Sequence, residues 1–180
     1  MRAWLREAKA VDTAVYAAVA GTETPRLDVA MRRLSGAADK GVLWFAIAAA
    51  LGLGGGAGGR AAARRGVASL ALASGFANLV AKPLTTRRRP EREELAVLAR
   101  RQVPMPRTSS FPSGHAASAF AFATGVGQAA PGLSAPLRAL ATLVGYSRVH
   151  TGVHYPADVL VGAFIGVSAA ELAGRILDRR

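Results

Sequence analysis

FPSGHAASAFAFATGVGQAA, residues 111–130, joins two signals in one stretch. From Ala116 to Ala130 it holds no charged residue, and its Ala, Phe and Val content suits an apolar helix. Its opening, Pro112-Ser113-Gly114-His115, reads as a helix start. The backbone N–H groups of Ser113 and Gly114 are expected there as free donors, and with the helix dipole they make an anion site. Gly114 lets a ligand approach the backbone closely, and His115 falls in the same first turn. The plainer alternative for this block alone is a Ser/Pro cap beside a buried histidine.

Working outward, four more apolar segments appear: 42–58, 66–81, 137–146 and 156–177. The first holds about 17 uncharged residues, the lower limit for crossing a bilayer. The segment 131–136 reads as a turn, and Arg60, Arg64 and Arg65 read as a short loop between the first two spans. The expected fold is therefore all-α, an integral membrane bundle of about five transmembrane helices. Residues 2–20 add an amphipathic N-terminal helix, with Trp4, Ala8, Val11, Val15 and Val19 on one side and Arg2, Arg6, Lys9 and Thr13 on the other. It either lies in the membrane interface or packs on the domain. Thr24-Pro25 reads as a cap and first residue of a short helix that presents Leu27, Met31 and Leu34 on one face. The polar stretch 82–110 carries Arg87, Arg88, Arg89, Glu91, Arg92, Glu93 and Glu94. Within it, 90–104, with Leu95, Val97, Leu98 and Val103, is either an amphipathic cover or a plain loop.

Composition agrees with a membrane location. The 180 residues are 51% hydrophobic with mean hydropathy +0.25, yet the formal net charge is +12. A soluble chain so basic would suggest nucleic acid. Here the arginines flank apolar runs and form no single patch with interleaved aromatics, which points to anionic membrane lipids and away from nucleic acid. Cysteine is absent, so disulfides and thiolate metal sites are excluded. Arg2, Arg6, Glu7, Lys9 and Asp12 leave no apolar signal-peptide core near the start. Heavy use of Arg, Ala and Gly suggests a GC-rich bacterial source, hence a bacterial cell membrane. The glycines of 52–59 lack the Gly-Lys-Ser/Thr of a phosphate loop. They read as close helix packing, with Gly52/Gly56 and Gly162/Gly166 at small-xxx-small spacing.

Two further blocks carry chemistry. In His154-Tyr-Pro-Ala-Asp158, Pro156 suits the first position of a helix. That places Asp158 at its third position, where a carboxylate turns back over the helix start. It can take the proton of one imidazole nitrogen of His154 and leave the other nitrogen more nucleophilic. Lys82, Arg89 and Arg148 supply cations. Lys82 is one of only three lysines, which suggests a compact ammonium is needed where the chain otherwise favours guanidinium. Arg87 and Arg88 read as bystanders.

Taken together, Lys82-x6-Arg89-Pro90, Pro112-Ser113-Gly114-His115 and Ser147-Arg148-x5-His154-x3-Asp158 resemble the signature of the type 2 phosphatidic acid phosphatase superfamily, which includes vanadium-dependent haloperoxidases. The motifs cover 82–158 and the span layout about 42–177. The resemblance implies a phosphatase that uses no metal or cofactor. His154 would be the nucleophile that forms a phosphohistidine, Asp158 its orienting partner and His115 the general acid. Lys82, Arg89, Arg148, Ser113 and Gly114 would hold the phosphoryl group. Residues 42–180 would form the transmembrane phosphatase domain and 1–41 an interfacial N-terminal region. Many members have six spans, whereas the N-terminal element here is highly charged. Phosphatidate, phosphatidylglycerol phosphate, a prenyl diphosphate or decaprenylphosphoryl phosphoribose would all suit such headgroup chemistry.

Other readings compete. His150, His154 and Asp158 at i, i+4 and i+8 would make a metal face if one helix ran through them, but Gly152 and Pro156 oppose that helix. A serine hydrolase through Ser113 lacks the Gly-x-Ser-x-Gly elbow. A non-enzymatic basic membrane protein would need no imidazole–carboxylate pair. The apolar spans weigh against a haloperoxidase.

Overall fold

The computed structural model describes residues 3–92 and 97–179; Arg2, Glu93, Glu94, Leu95 and Arg180 lie outside them. Among the described residues the chain is all-helical, without strands. Seven α-helices carry it: α1 (Ala3–Gly21), α2 (Pro25–Ala37), α3 (Val42–Gly54), α4 (Gly56–Gly75), α5 (Gly114–Ala129), α6 (Ser134–His150) and α7 (Pro156–Asp178). The helix of 111–130 is central. α5 packs against α4, α6 and α7, while α3 leans on α4 and α2 on α6.

Small residues let these helices meet. On α7, Gly162 and Gly166 face α5, and a Cβ at either would collide with the carbonyl oxygens of Ser113 and Ala117 respectively. Leu160 and Phe164, on the outer side of α7, are 70% and 72% exposed. This helix thus turns its small side inward and its bulky apolar side outward, the reverse of a water-soluble helix. Gly52 and Gly56 have nothing near their absent side chains, so small-xxx-small packing holds for the second pair only.

Two helices among the described residues are long and apolar enough to cross a membrane. They are Gly56–Leu84 (29 residues, mean hydropathy 1.4) and Pro156–Asp178 (23 residues, 1.6). A third span arises if Pro25–Ala37 and Asp39–Gly54, bent by 58° at their junction, count as one. α5 and α6 have 16 and 17 residues, about 24–26 Å at 1.5 Å per residue, somewhat short of a hydrocarbon core of about 30 Å.

The first two expected spans have different limits in the structure. The chain turns at Gly55, and Gly56 adopts φ +59°, a conformation that glycine permits at little cost. The glycine run therefore forms the tight reversal between α3 and α4. Arg60, Arg64 and Arg65 then lie on α4 and not in a loop. Arg65 is kept there by Asp178 at the far end of α7.

At its other end α4 passes into a wider i→i+5 turn over Phe76–Ala81 and a tight turn over Lys82–Leu84. Such a widening rotates the residues that follow it and is frequent near functional sites. α1 docks with the side opposite to its apolar stripe. Asp12, Tyr16 and Ala20 are buried, whereas Trp4, Val11 and Val15 face away from the protein. Tyr16 and Ala20 pack with Val97 and Val149, so the described part of 90–104 closes over α1 and α6.

Candidate active site

The N-terminus of α7 forms as its sequence suggests. Tyr155 is the N-cap, and its N–H donates to Asp158 Oδ2 at 2.9 Å. His154 Nδ1 lies 3.4 Å from the same oxygen, with both side chains almost wholly buried. That is long for a hydrogen bond, as such contacts often are before substrate tightens them. Nδ1 thus faces Asp158, and Nε2 is turned toward Arg89. Burial pushes the His154 imidazole down to about 4, against the opposing pull of Asp158 and with help from Arg89 and Arg148. The ring is therefore neutral at physiological pH, as a nucleophile must be.

Asp158 has further partners that the motif alone does not reveal. Ser110 Oγ donates to Oδ2 at 2.5 Å and Arg87 Nη1 to Oδ1 at 2.7 Å. The other end of Arg87 pairs with Asp12 of α1, and its guanidinium lies 4.5 Å from the centre of the Tyr155 ring. Asp12 in turn accepts from the Ala157 N–H at 2.8 Å. Arg87 is therefore no bystander: it ties α1 to the carboxylate that faces His154. Its partners lie 75 and 71 residues away, so no local pattern could signal it. Arg88 is exposed, as expected.

Arg87→Ala should lower kcat by about tenfold or more with little change in KM. It strips a cation from a fully buried carboxylate, and Arg87 does not line the cavity that Lys82, Arg89 and Arg148 share. Steady-state kinetics beside Arg88→Ala, expected to be near wild type, checks this.

The cations converge on one cavity of about 500 Å³, lined among others by Lys82, Arg89, Gly114, His115, Arg148 and His154. Lys82 Nζ donates to Asn78 Oδ1 at 2.9 Å. Arg89 is fixed by the carbonyls of Val153 (2.7 Å), Thr108 (3.0 Å) and Ser109 (3.1 Å), and its Nη1 lies 3.4 Å from His154 Nε2. Arg148 is 4% exposed and donates to Ser35 Oγ of α2, while its buried Nε has no partner. A buried guanidinium with unmet donors beside a cavity is built to receive an oxyanion. Arg148→Lys should therefore reduce kcat/KM by roughly tenfold or more, because an ammonium cannot reproduce a two-pronged grip. Rates measured at several substrate concentrations test this.

Ser113 stands at the helix start, as its sequence suggests. Its hydroxyl accepts from Ala116 N–H at 3.4 Å as the N-cap of α5, and its own N–H donates to the Asp158 carbonyl at 2.9 Å. The hydroxyl thus caps its own helix and the N–H joins the starts of α5 and α7, and Ser113 is not part of the cavity lining. Gly114 does line it, and a Cβ there would press on Asn78 and toward Lys82 Nζ.

The metal-face geometry also fails. α6 ends at His150 and α7 begins at Pro156, so no continuous helix aligns His150, His154 and Asp158. His150 Nε2 instead lies 3.0 Å from Asp28 of α2, in a buried cluster with Arg101.

The decaprenylphosphoryl-5-phosphoribose phosphatase of Mycolicibacterium smegmatis is 38% identical over 160 residues, covering 85% of this chain and 79% of that protein. The phosphatase of the same name from Mycobacterium tuberculosis is 38% identical over 95 residues; the match covers 53% of this chain and about half, 50%, of that relative's length. Among solved structures, Aquifex aeolicus LpxE superposes with a TM-score of 0.68 at 27% identity, covering 91% of this chain and 94% of that one. A transmembrane PAP2-type phosphatidylglycerolphosphate phosphatase from Bacillus subtilis gives 0.71 at 22% identity, covering 96% and 87%, a likeness of fold. The sequence model of the PAP2 superfamily matches residues 65–180, a stretch that holds all three motif blocks and both histidines of the cavity. The chain belongs to the PAP2 superfamily.

Proposed function

We propose that this protein is a bacterial membrane phosphatase that hydrolyses a lipid phosphate through a phosphohistidine. The observation that carries the reading is the convergence of His154, His115, Lys82, Arg89 and Arg148 on one cavity, with Asp158 behind His154.

His154 Nε2 attacks phosphorus as the P–O bond to the lipid alcohol breaks, and His115 gives a proton to the departing oxygen. Water then attacks the phosphohistidine. His115 takes the water proton, the P–N bond breaks and inorganic phosphate leaves. Lys82, Arg89, Arg148 and the N–H at Gly114 stabilise the equatorial oxygens throughout. Asp158 keeps the proton on Nδ1 and stays ionised.

Residues 42–180 supply all of these groups, so we place the phosphatase unit there and treat 1–41 as its interfacial flank. The outward apolar side chains of α1 and α7 suit a site at headgroup depth, where the lipid tail stays in the bilayer. The similarity to the mycobacterial phosphatases favours a polyprenyl-linked phosphosugar over phosphatidate or phosphatidylglycerol phosphate.

The deciding experiment is phosphate release in detergent from a decaprenyl-linked phosphoribose, phosphatidate, phosphatidylglycerol phosphate and a prenyl diphosphate, each with and without EDTA. The phosphosugar should be turned over fastest, and chelation should leave the rate unchanged. Inactivation by EDTA with recovery on adding a divalent ion would sink the mechanism.

A further inference from the structure

His154 is paired with a carboxylate, and so is His115. Asp39 Oδ1 lies 3.3 Å from His115 Nε2. Asp39 belongs to the short turn Asp39–Gly41 between α2 and α3, which lines the same cavity. It falls outside the 65–180 stretch that matches the family, and the sequence motifs assign it nothing. The turn is held in an unusual shape. Lys40 has φ +51° and Gly41 φ +78°, two successive left-handed residues in a chain where no other non-glycine among those described has positive φ. Backbone of this kind persists where surrounding structure enforces it, often at functional sites.

The other charged or titratable groups facing His115 are Arg148 from α6, Lys82 after α4, Arg89 from the loop and the imidazole of His154, none of them a carboxylate. Asp39 is the one ion-pair partner of His115 among the described residues. His115 Nε2 is buried and makes no hydrogen bond, so the 3.3 Å approach of Asp39 is a contact that must tighten when the ring is protonated.

We infer that Asp39 is a positioning residue that keeps a proton on His115 Nε2, so that Nδ1 serves as the acid in the first step and the base in the second. In the first step the imidazolium gives its Nδ1 proton to the leaving alcohol oxygen. The neutral ring that remains keeps its Nε2 proton on Asp39. Its free Nδ1 lone pair then takes the proton of the water that attacks the phosphohistidine, and the cycle closes without an outside proton. The two pairs differ in setting. Asp158 is fully buried and fixed by three hydrogen bonds, whereas the Asp39 side chain is 62% exposed. This inference rests on the acid–base role proposed for His115.

The test is the dependence on leaving group, read as kcat/KM of the full-length protein in detergent. The substrates are p-nitrophenyl phosphate, whose leaving group needs no proton, and a phosphatidate, whose alkoxide does. Asp39→Asn should lower kcat/KM for phosphatidate by about tenfold or more, within the span of general-acid effects, and change that for p-nitrophenyl phosphate by less than about threefold. Asp39→Glu should recover most of the loss, and the basic limb of the phosphatidate pH profile should move to lower pH in Asp39→Asn. His115→Ala is the reference, expected to show the same split more strongly. A split in His115→Ala without one in Asp39→Asn, or an equal loss on both substrates in Asp39→Asn, overturns the role of Asp39 alone. No split in His115→Ala overturns the acid role of His115 and this inference with it.

Discussion

His154→Ala should all but abolish phosphate release, with kcat/KM falling by at least about 10^3-fold. The cations remain in that variant and still bind phosphate, so KM should change far less than kcat. Binding without attack is what distinguishes loss of a nucleophile from loss of a binding group. Turnover within about tenfold of wild type would refute a phosphohistidine at this position. The wild-type pH profile offers an independent check. Burial holds the His154 imidazole down to about 4, and only the neutral ring can attack. Its protonation therefore begins to matter only as the pH approaches 4, and the acid limb of kcat/KM should fall there and not near the ordinary histidine value of about 6.5.

Asp158→Asn should reduce kcat by roughly 10^2- to 10^4-fold with KM almost unchanged. The carboxylate takes hydrogen bonds from Arg87, Ser110 and Tyr155 N–H and faces His154 Nδ1. An amide has one acceptor oxygen and one NH2. Tyr155 N–H and His154 Nδ1 both meet Oδ2, so an amide oxygen kept there sets the NH2 against the Arg87 guanidinium, donor against donor. With the NH2 there instead, Tyr155 N–H loses its acceptor and the imidazole must carry its proton on Nε2, the nitrogen that should attack. Because Asp158 lies behind His154 and not in the cavity lining, the phosphate grip should survive. A matching rise in KM would show that the residue supports binding instead. Single-turnover kinetics separates the two outcomes.

The parts of this site that could be read from sequence are those encoded within one turn of helix. Pro156 fixes where α7 starts, and this places Asp158 over His154; Ser113 and Gly114 do the same for His115. The parts that could not be read are made by residues far apart in the chain. Asp12, Asp39, Ser35 and Arg87 look like ordinary surface side chains, and their partners lie on other helices. Glycine was read rightly at Gly162 and Gly166 and wrongly near the start of α4. The run at 52–59 suggested close packing inside a span, yet it supplies a reversal, because the φ of Gly56 is legible only in three dimensions. Ser113 shows a related limit: the sequence placed it at a helix start correctly, but its donor and acceptor are consumed by α7 and by its own helix.

The glycine contacts between α5 and α7 govern what can vary in this protein. Gly162 and Gly166 let backbone rest on backbone where the helices bearing His115 and Asp158 begin, so no rotamer change or repacked side chain can absorb a shift there. The outward side chains of the same helix, Leu160 and Phe164, are largely free of other protein groups and need only stay apolar. Lineages can therefore retune the protein to membranes of different thickness or composition by exchanging one side of α7. The inner side is bound to α5 as a single inherited part, and a chimera that borrows α7 from a relative must borrow α5 with it to remain active.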